Sequence, residues 1–561
     1  MKKIRLTLSA VLAFFAFTTV GHTQISTHQM PHSFAFTDAT TVPTLKIAAP
    51  DVDEYLYKEQ KAVEGNNSFL TPRASALLVP LKQNFFDKAV KTTDADADIY
   101  RMNIHMDYAQ AINIYSDNFF IPKGGELYIY NSDRSKVIGA FTSKNNKPDG
   151  KFASEYVTGE DITIEYYQPK NVSQKAVIEI SDVGYFFRDI SEAGSNVKAS
   201  AFNSSGSCHV NVNCSEGDDY RNQQRGVVRL LIRFNATSTG FCSGTLINNA
   251  DNDATPYIYT AAHCLDVYMK DYSYLSQLIV YFNYESAGCD RPDKEPSTAQ
   301  TLTGCDKLVM QSLAEENKSG LDVLLLKLHD NVPAEYNAYF CGWTAERTPP
   351  EHGVGIHHPS GDIKKISTFT ERPKRSALYD ESKVMTHWIV YFAKTEHGWG
   401  VVEEGSSGSS IFNEDGLIFG SLTSTSSPSC QPDNSKTFAT YSRMDLAYDL
   451  IQPYLDPHNT GITRLQGMDA KDAGLEDVVK QTLQCDVYPV PAKDDLVVSL
   501  GQNNMIDRIT VTDNAGRIVY YGSDIVAGKV TIDVSGYTEG VYYVNIVSGC
   551  KDVTKKIIIQ K

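Results

Sequence analysis

The first 207 of the 561 residues contain no cysteine, and none of the ten cysteines that follow stands in C-x-x-C spacing. A zinc ribbon or a thioredoxin-type redox site therefore has no footing. Positive charge is also short: 52 Lys and Arg against 68 Asp and Glu leave a formal charge of −16, with the basic residues spread rather than clustered. That balance carries no electrostatic footprint for nucleic acid. Past the N-terminus no apolar run is long enough for a transmembrane segment, and there are no internal repeats.

What is present is an ordinary globular balance, with 42% hydrophobic and 21% charged residues, and 32 Tyr and 24 Phe that lean towards β structure. The length leaves room for about three or four domains. Lys2, Lys3 and Arg5 precede an apolar run from Leu6 to Val20, too short to span a bilayer, which reads as a secretory signal peptide over 1–24. An even cysteine count in an exported chain favours disulfides. Eight cysteines fall between Cys208 and Cys430, and Cys485 and Cys550 bracket the tail.

This spacing divides the chain. Residues 25–202 hold short period-two segments (Tyr100–Tyr108, Glu126–Tyr130, Asp161–Tyr167, Lys175–Ile180) bounded by turn residues, an antiparallel β domain without a catalytic constellation. Residues 203–465 form a strand-rich, cysteine-stapled region with a closing helix over Met444–Tyr454. A polar linker over 466–484 leads to a small β-sandwich at 485–561, with strands at Arg508–Thr512, Arg517–Tyr521, Val541–Val547 and Val553–Ile559.

Local patterns in the stapled region converge on one chemistry. Thr260-Ala261-Ala262-His263-Cys264 sets a histidine after a strand. Leu321-Asp322-Val323-Leu324 sets an acid at the start of an apolar one. Gly405-Ser406-Ser407-Gly408-Ser409 sets a serine in a tight, glycine-flanked turn, and Phe419-Gly420-Ser421-Leu422 resumes a strand. A serine hydroxyl attacks only when an imidazole takes its proton, and the imidazole needs a carboxylate to fix its tautomer. The roles that follow are nucleophile Ser407, general base and acid His263, and orienting carboxylate Asp322, with the backbone N–H groups of Gly405 and Ser407 as the oxyanion hole. The order His, Asp, Ser is not that of an α/β-hydrolase, and the G-x-S-x-G elbow is missing. Taken singly, each motif is more often structural: a flexible turn, a structural His-Cys pair, a strand-start acid.

These residues, together with Ser205-Gly206-Ser207-Cys208, Cys214, Cys242-Ser243-Gly244-Thr245-Leu246, Gly342-Trp343, Ile356-His357-His358-Pro359 and Tyr454-Leu455-Asp456-Pro457, carry a resemblance. The region from about Ser205 to Asp469 resembles the lysyl endopeptidase branch of the trypsin-like (chymotrypsin-fold) serine peptidases. The resemblance implies an all-β-dominated chain whose catalytic domain is a chymotrypsin-like double β-barrel with the site between barrels. It implies an exported serine endopeptidase acting through an acyl-enzyme on protein or peptide substrates, without cofactor. It also implies the disulfides Cys208–Cys430, Cys214–Cys289 and Cys242–Cys264. The cysteines left over would pair as Cys305–Cys341 and Cys485–Cys550.

At the specificity pocket, taken as Val401, Ser421, Thr423 and Ala439, the sequence departs from the family. The acid that selects lysine is replaced by Ala439, ahead of Tyr441-Ser442-Arg443, and the trypsin alternative by Val401. The family's cleft histidine maps onto Thr423 and its tryptophan partner onto Tyr379. A charged P1 side chain would enter such a pocket unpaired, so uncharged, small-to-medium P1 residues are expected unless Glu403 or Glu404 turns inward. Neighbouring His357 and His358 face opposite ways on a strand and offer no metal site.

The domain before Cys208 reads as a propeptide, with processing near Lys198-Ala199-Ser200-Ala201-Phe202-Asn203. The tail, through Val487-Tyr488-Pro489-Val490-Pro491-Ala492, Asp513-Asn514-Ala515-Gly516-Arg517, Gly540-Val541-Tyr542 and Lys555-Lys556-Ile557, resembles the sorting domain read by the type IX secretion machinery of Bacteroidetes. The implied place is outside, or on the surface of, a Gram-negative cell reached through the periplasm, and a monomer is expected. The competing function is a surface adhesin or binding protein on an inactive peptidase fold; a narrow processing protease is a third.

Overall fold

The structure is a computed structural model that describes residues 30–35, 40–65, 73–93, 96–188, 202–266, 272–313, 320–378, 385–427, 429–470, 485–500, 506–514, 517–525, 529–548 and 551–561. The expected signal peptide, the segment around Lys198, Tyr379, Cys550 and linker residues 471–484 lie outside these. The chain divides into two compact units, Met1–Lys471 and Asp472–Lys561.

Period-two alternation builds the first part of the larger unit. Leu127 and Ile129 on one strand, and Ile162, Ile164 and Tyr166 on its neighbour, enter a core shared with Ile112, Ile114, Ile178 and Ile180 of a second sheet. Two sheets thus close on one apolar layer. The second sheet does not stop at the domain boundary. Its strand Ala74–Asn84 pairs with Val177–Phe186 on one side and with Ser238–Leu246 on the other, so it runs unbroken into the cysteine-stapled region.

There the strands Thr301–Thr303, Ile279–Tyr281, Val227–Arg233, Ser238–Leu246, Tyr257–Thr260, Val323–Leu328 and Cys305–Gln311 follow one another by pairing. The first and last of these are joined by Gly304 alone, so the path almost returns to its start. That is a nearly closed barrel. A second path runs through Lys365–Phe369, Gly353–His357, Ser410–Asn413, Ile418–Thr425, Phe438–Arg443, His387–Tyr391 and Lys374–Ser376, and its ends are again consecutive. The expected closing helix spans Met444–Leu455 and buries Met444, Ala447, Ile451 and Leu455 at i, i+3, i+7 and i+11 spacing. The unit continues past 465, for Met468–Asp469 pairs with Tyr339–Phe340.

Three disulfides join Cys208 to Cys430, Cys214 to Cys289 and Cys242 to Cys264. The pairing Cys305–Cys341 is not made. Both are buried free thiols in separate layers: Cys305 opens a barrel strand inside the barrel's own core, and Cys341 is packed against Gly226 and Tyr339. Burial pushes both thiols well above their ordinary pKa. The tail unit has a three-stranded and a four-stranded sheet around Leu496, Val498, Ile509, Val511, Val544, Ile546 and Ile557.

The N-terminal domain meets the first barrel through buried polar groups as well as strands. Arg229 is fully buried, its Nη2 donating to the Tyr156 hydroxyl of the N-terminal domain at 3.4 Å while its guanidinium lies 3.6 Å from the Tyr284 ring centroid and 4.1 Å from that of Tyr281 and donates to the Gly361 carbonyl at 2.8 Å. Glu295 accepts from Lys136, Tyr156 and Tyr284 at 2.9–3.0 Å. Glu155 is 1% exposed and accepts from Thr301 Oγ1 at 3.1 Å. Burial pushes its pKa up to about 7, against the opposing pull of Lys136 and of hydrogen bonds from Thr298 and Thr301.

A carboxyl whose folded pKa lies above its unfolded one supports the fold while protonated and loses that support as pH rises from about 4.5 to about 7. Glu155→Gln is therefore expected to match the wild type near pH 5 and to exceed it at pH 8, by on the order of 2 kcal/mol. Thermal unfolding midpoints across that range measure it; parallel curves would refute the assignment.

Candidate active site

His263 begins a short helical turn just after the barrel strand Tyr257–Thr260. Asp322 holds it at two points: Oδ1 accepts the backbone N–H of His263 at 2.8 Å, and Oδ2 lies 2.7 Å from Nδ1. Both residues are buried, at 2% and 0% exposure. Asp322 takes a left-handed backbone (φ 58°), a conformation that Asp tolerates better than most residues. The Cys242–Cys264 bridge ties the next residue of the turn to the Ser238–Leu246 strand.

Ser407, half-buried, sits in the turn between two glycines of positive φ, Gly405 at 86° and Gly408 at 80°. A Cβ on Gly405 would lie 2.7 Å from the Gly361 nitrogen and 2.9 Å from the His358 oxygen. A Cβ on Gly408 would lie 2.6 Å from the Ser243 oxygen and 2.9 Å from the Ala261 nitrogen. Only glycine lets this turn press against the residues that lead into His263. Ser243 fastens it, donating its N–H to the Ser407 carbonyl and its hydroxyl to the Gly405 carbonyl, both at 2.8 Å. The His263 turn, Asp322 and the Ser407 turn therefore meet around Ser243 and Ala261.

The turn is supported from beneath. Ser406 Oγ lies 2.7 Å from His357 Nδ1 and accepts from the Glu403 N–H at 3.2 Å; His357 Nε2 lies 3.0 Å from Ser367 Oγ, which donates to the Val401 carbonyl. Burial holds His357 well below the ordinary histidine pKa, so this prop stays neutral. His358 Nδ1 is 2.9 Å from the Asp362 carbonyl, so each histidine of the pair has a structural place of its own.

Val401, Ser421, Thr423 and Ala439 are all buried. Ala439 shares the apolar face of its strand with Tyr441, beside Trp388, Val390 and Val402. The two acids that could have turned inward are engaged elsewhere. Glu403 accepts from the Gly206 N–H and from Ser360 Oγ and lies 3.3 Å from His209 Nε2. Burial would raise Glu403, but His209 and these donors outweigh it and hold its carboxyl below the ordinary range. Glu404 lies 3.1 Å from Arg73 of the N-terminal domain; burial keeps its pKa raised despite that cation.

One buried histidine escaped the sequence reading. The sequence maps the family histidine onto Thr423, and His387 reaches Thr423 from the strand beyond Phe438–Arg443, with Nε2 3.2 Å from Thr423 Oγ1 and Nδ1 2.8 Å from Thr386 Oγ1. Burial lowers its pKa to about 4, with Asp322 pulling the other way, so it is neutral under ordinary conditions. Its only sequence signal was a polar residue on a buried strand. Ser406→Ala should loosen the turn, speeding amide exchange over 403–407 and costing about 1–2 kcal/mol; unchanged exchange there would deny Ser406 the propping role.

Residues 202–442 match a family model described as lysyl endopeptidase, C-terminal domain. Residues 486–560 match a secretion system C-terminal sorting domain. A lysyl endopeptidase of Pseudomonas aeruginosa is 26% identical over 300 residues, 51% of this chain and 58% of that protein. The chain thus spans less than two thirds of that relative's length. Residues 202–442 are thus similar to the C-terminal domain of lysyl endopeptidase, and the sorting domain indicates export by the type IX route, to the cell surface or the extracellular space.

Proposed function

We propose that the protein is a serine endopeptidase that hydrolyses peptide bonds through Ser407, His263 and Asp322. The observation that carries this is the two-point hold of Asp322 on His263, set against the glycine-bounded Ser407 turn. His263 takes the Ser407 proton as the hydroxyl attacks the scissile carbonyl. The N–H groups of Gly405 and Ser407 receive the negative charge that develops on the carbonyl oxygen. The protonated imidazole, steadied by Asp322, then gives its proton to the leaving amine. Water, activated by the same imidazole, releases the acyl group.

The pocket carries no carboxylate at 401 or 439, and Glu403 and Glu404 are bound to other partners. Uncharged, small-to-medium P1 residues are the chemistry it fits, so lysine selection, the activity in the relative's name, is not carried over. The N-terminal domain is read as the propeptide of this enzyme, removed by cleavage ahead of Cys208.

The test is digestion of a diverse peptide mixture by the processed protein, read by mass spectrometry. Ser407→Ala should abolish cutting, and Asp322→Asn should lower kcat by about 10⁴ with the fold intact. Cleavage that survives Ser407→Ala would refute the mechanism. A strong preference for P1 lysine would refute the pocket assignment.

A further inference from the structure

Arg73 and the strand it leads reach the candidate site from the N-terminal domain. Ala74, Ala76 and Leu77 pair antiparallel with Gly240, Thr239 and Ser238, and Leu78 donates its N–H to the Thr237 carbonyl at 2.9 Å. The Arg73 carbonyl lies so close to Gly240 that a Cβ there would strike it. Two residues on is Cys242, bridged to the residue after His263. At the same point Arg73 Nη2 lies 3.1 Å from Glu404 Oε1, three residues before Ser407.

Direction matters here. Because the pairing is antiparallel, the segment runs from Arg73, nearest the Cys242 end, away from the candidate site as residue number rises. Residues after the scissile bond of a bound substrate must leave the nucleophile with that same polarity. The 73–77 segment therefore has the polarity of a substrate's primed side, laid on a strand edge whose backbone groups can take any extended peptide.

We propose that the Ser238–Gly240 edge and Glu404 form a primed-side subsite selective for basic residues, which Arg73 fills in the unprocessed chain. This rests on the peptidase function proposed above. Glu404 is the specificity-determining group: a half-buried carboxylate already paired with the Arg73 guanidinium at 3.1 Å favours a cation and disfavours an acid. The edge supplies affinity without sequence preference. While the N-terminal domain is in place, substrate and Arg73 compete for one carboxylate and one strand edge.

Two arms separate this proposal from the peptidase function. In full-length Ser407→Ala protein, Arg73→Glu and Glu404→Arg should each speed amide exchange over 74–78 and 237–241, and the two together should restore it. In processed wild type, peptides with arginine just after the scissile bond should be cut about threefold to fivefold faster than those with glutamate, the size a partly exposed ion pair brings. Glu404→Gln should erase that difference. Exchange indifferent to both single changes overturns the docking, and a cleaving enzyme with no charge preference on the primed side overturns the subsite. If folded, processed wild type cuts nothing, the peptidase function falls, while the exchange arm still decides whether Glu404 holds Arg73.

Discussion

The grip of Asp322 on His263 is the constraint around which the cysteine-stapled region is arranged. A single carboxylate that receives both the backbone N–H and Nδ1 must approach from one direction only, which fixes the start of the Val323–Leu328 strand against the end of Tyr257–Thr260. Those two strands pair along their whole length, Tyr257 opposite Lys327 and Thr260 opposite Leu324. The left-handed backbone of Asp322 is the local consequence. The chain enters the strand through a bend that turns the carboxylate back onto the histidine, in a site without solvent to take its place. Strain of this kind costs on the order of 1 kcal/mol or more and persists where surrounding structure demands it.

What was legible in the sequence was local. Alternation at Glu126–Tyr130 and Asp161–Tyr167 marked strands now seen at Glu126–Asn131 and Asp161–Pro169, and the apolar spacing after Met444 marked a helix that ends one residue beyond its expected end. The meeting of Asp322 with His263 and the tight glycine-bounded turn at 405–408 were legible because each residue type there has few other uses. What was not legible was contact between residues far apart in the chain. Nothing near Cys305 or Cys341 in sequence says that one belongs to the barrel core and the other to the layer beneath Gly226. Likewise the strand Ala74–Asn84, interrupted by Pro80 and closed by Lys82 and Gln83, has an irregular pattern; its partners at Val177–Phe186 and Ser238–Leu246 are what make it a strand. His387 is the same case, since its significance comes from Thr423 on another strand.

The boundary between the N-terminal domain and the barrel combines a shared core with buried charge. The two share a sheet and a core, since Leu231, Phe241, Ile279 and Tyr281 belong to the same apolar cluster as Ile112 and Ile178. Yet charged groups are buried there: Arg229 among aromatic rings, Arg233 at 3.0 Å from Asp182, Lys136 at 3.0 Å from Glu295. Apolar contact of this kind is indifferent to what faces it, whereas a buried ion pair is tolerated only with its partner present. Removing one side leaves Arg233 or Glu295 without its counterion until water replaces it. Such an interface therefore discriminates strongly between the intact domain and anything else that might lie on the barrel, while contributing little net affinity of its own.

The acids near the Ser407 turn divide the same way. Glu403 is spent inside the cysteine-stapled region: it accepts from Gly206, which precedes Cys208, and so couples the start of that region to the turn four residues before Ser407. Asp362 does the same from the other side, accepting from the backbone of Asn203 and Ser205 at 2.7 and 3.1 Å. Neither can serve a substrate without releasing the chain that it anchors. Glu404 differs, because its partner comes from the N-terminal domain and leaves with it if that domain is removed. Of three carboxylates around one turn, two stabilise the region's own backbone and one is held by the N-terminal domain. Val401 and Ala439, assigned to the specificity pocket from the sequence, bring no acid to meet a cation. Any selection for positive charge by these neighbouring acids would therefore act at the rim through Glu404 rather than in the pocket.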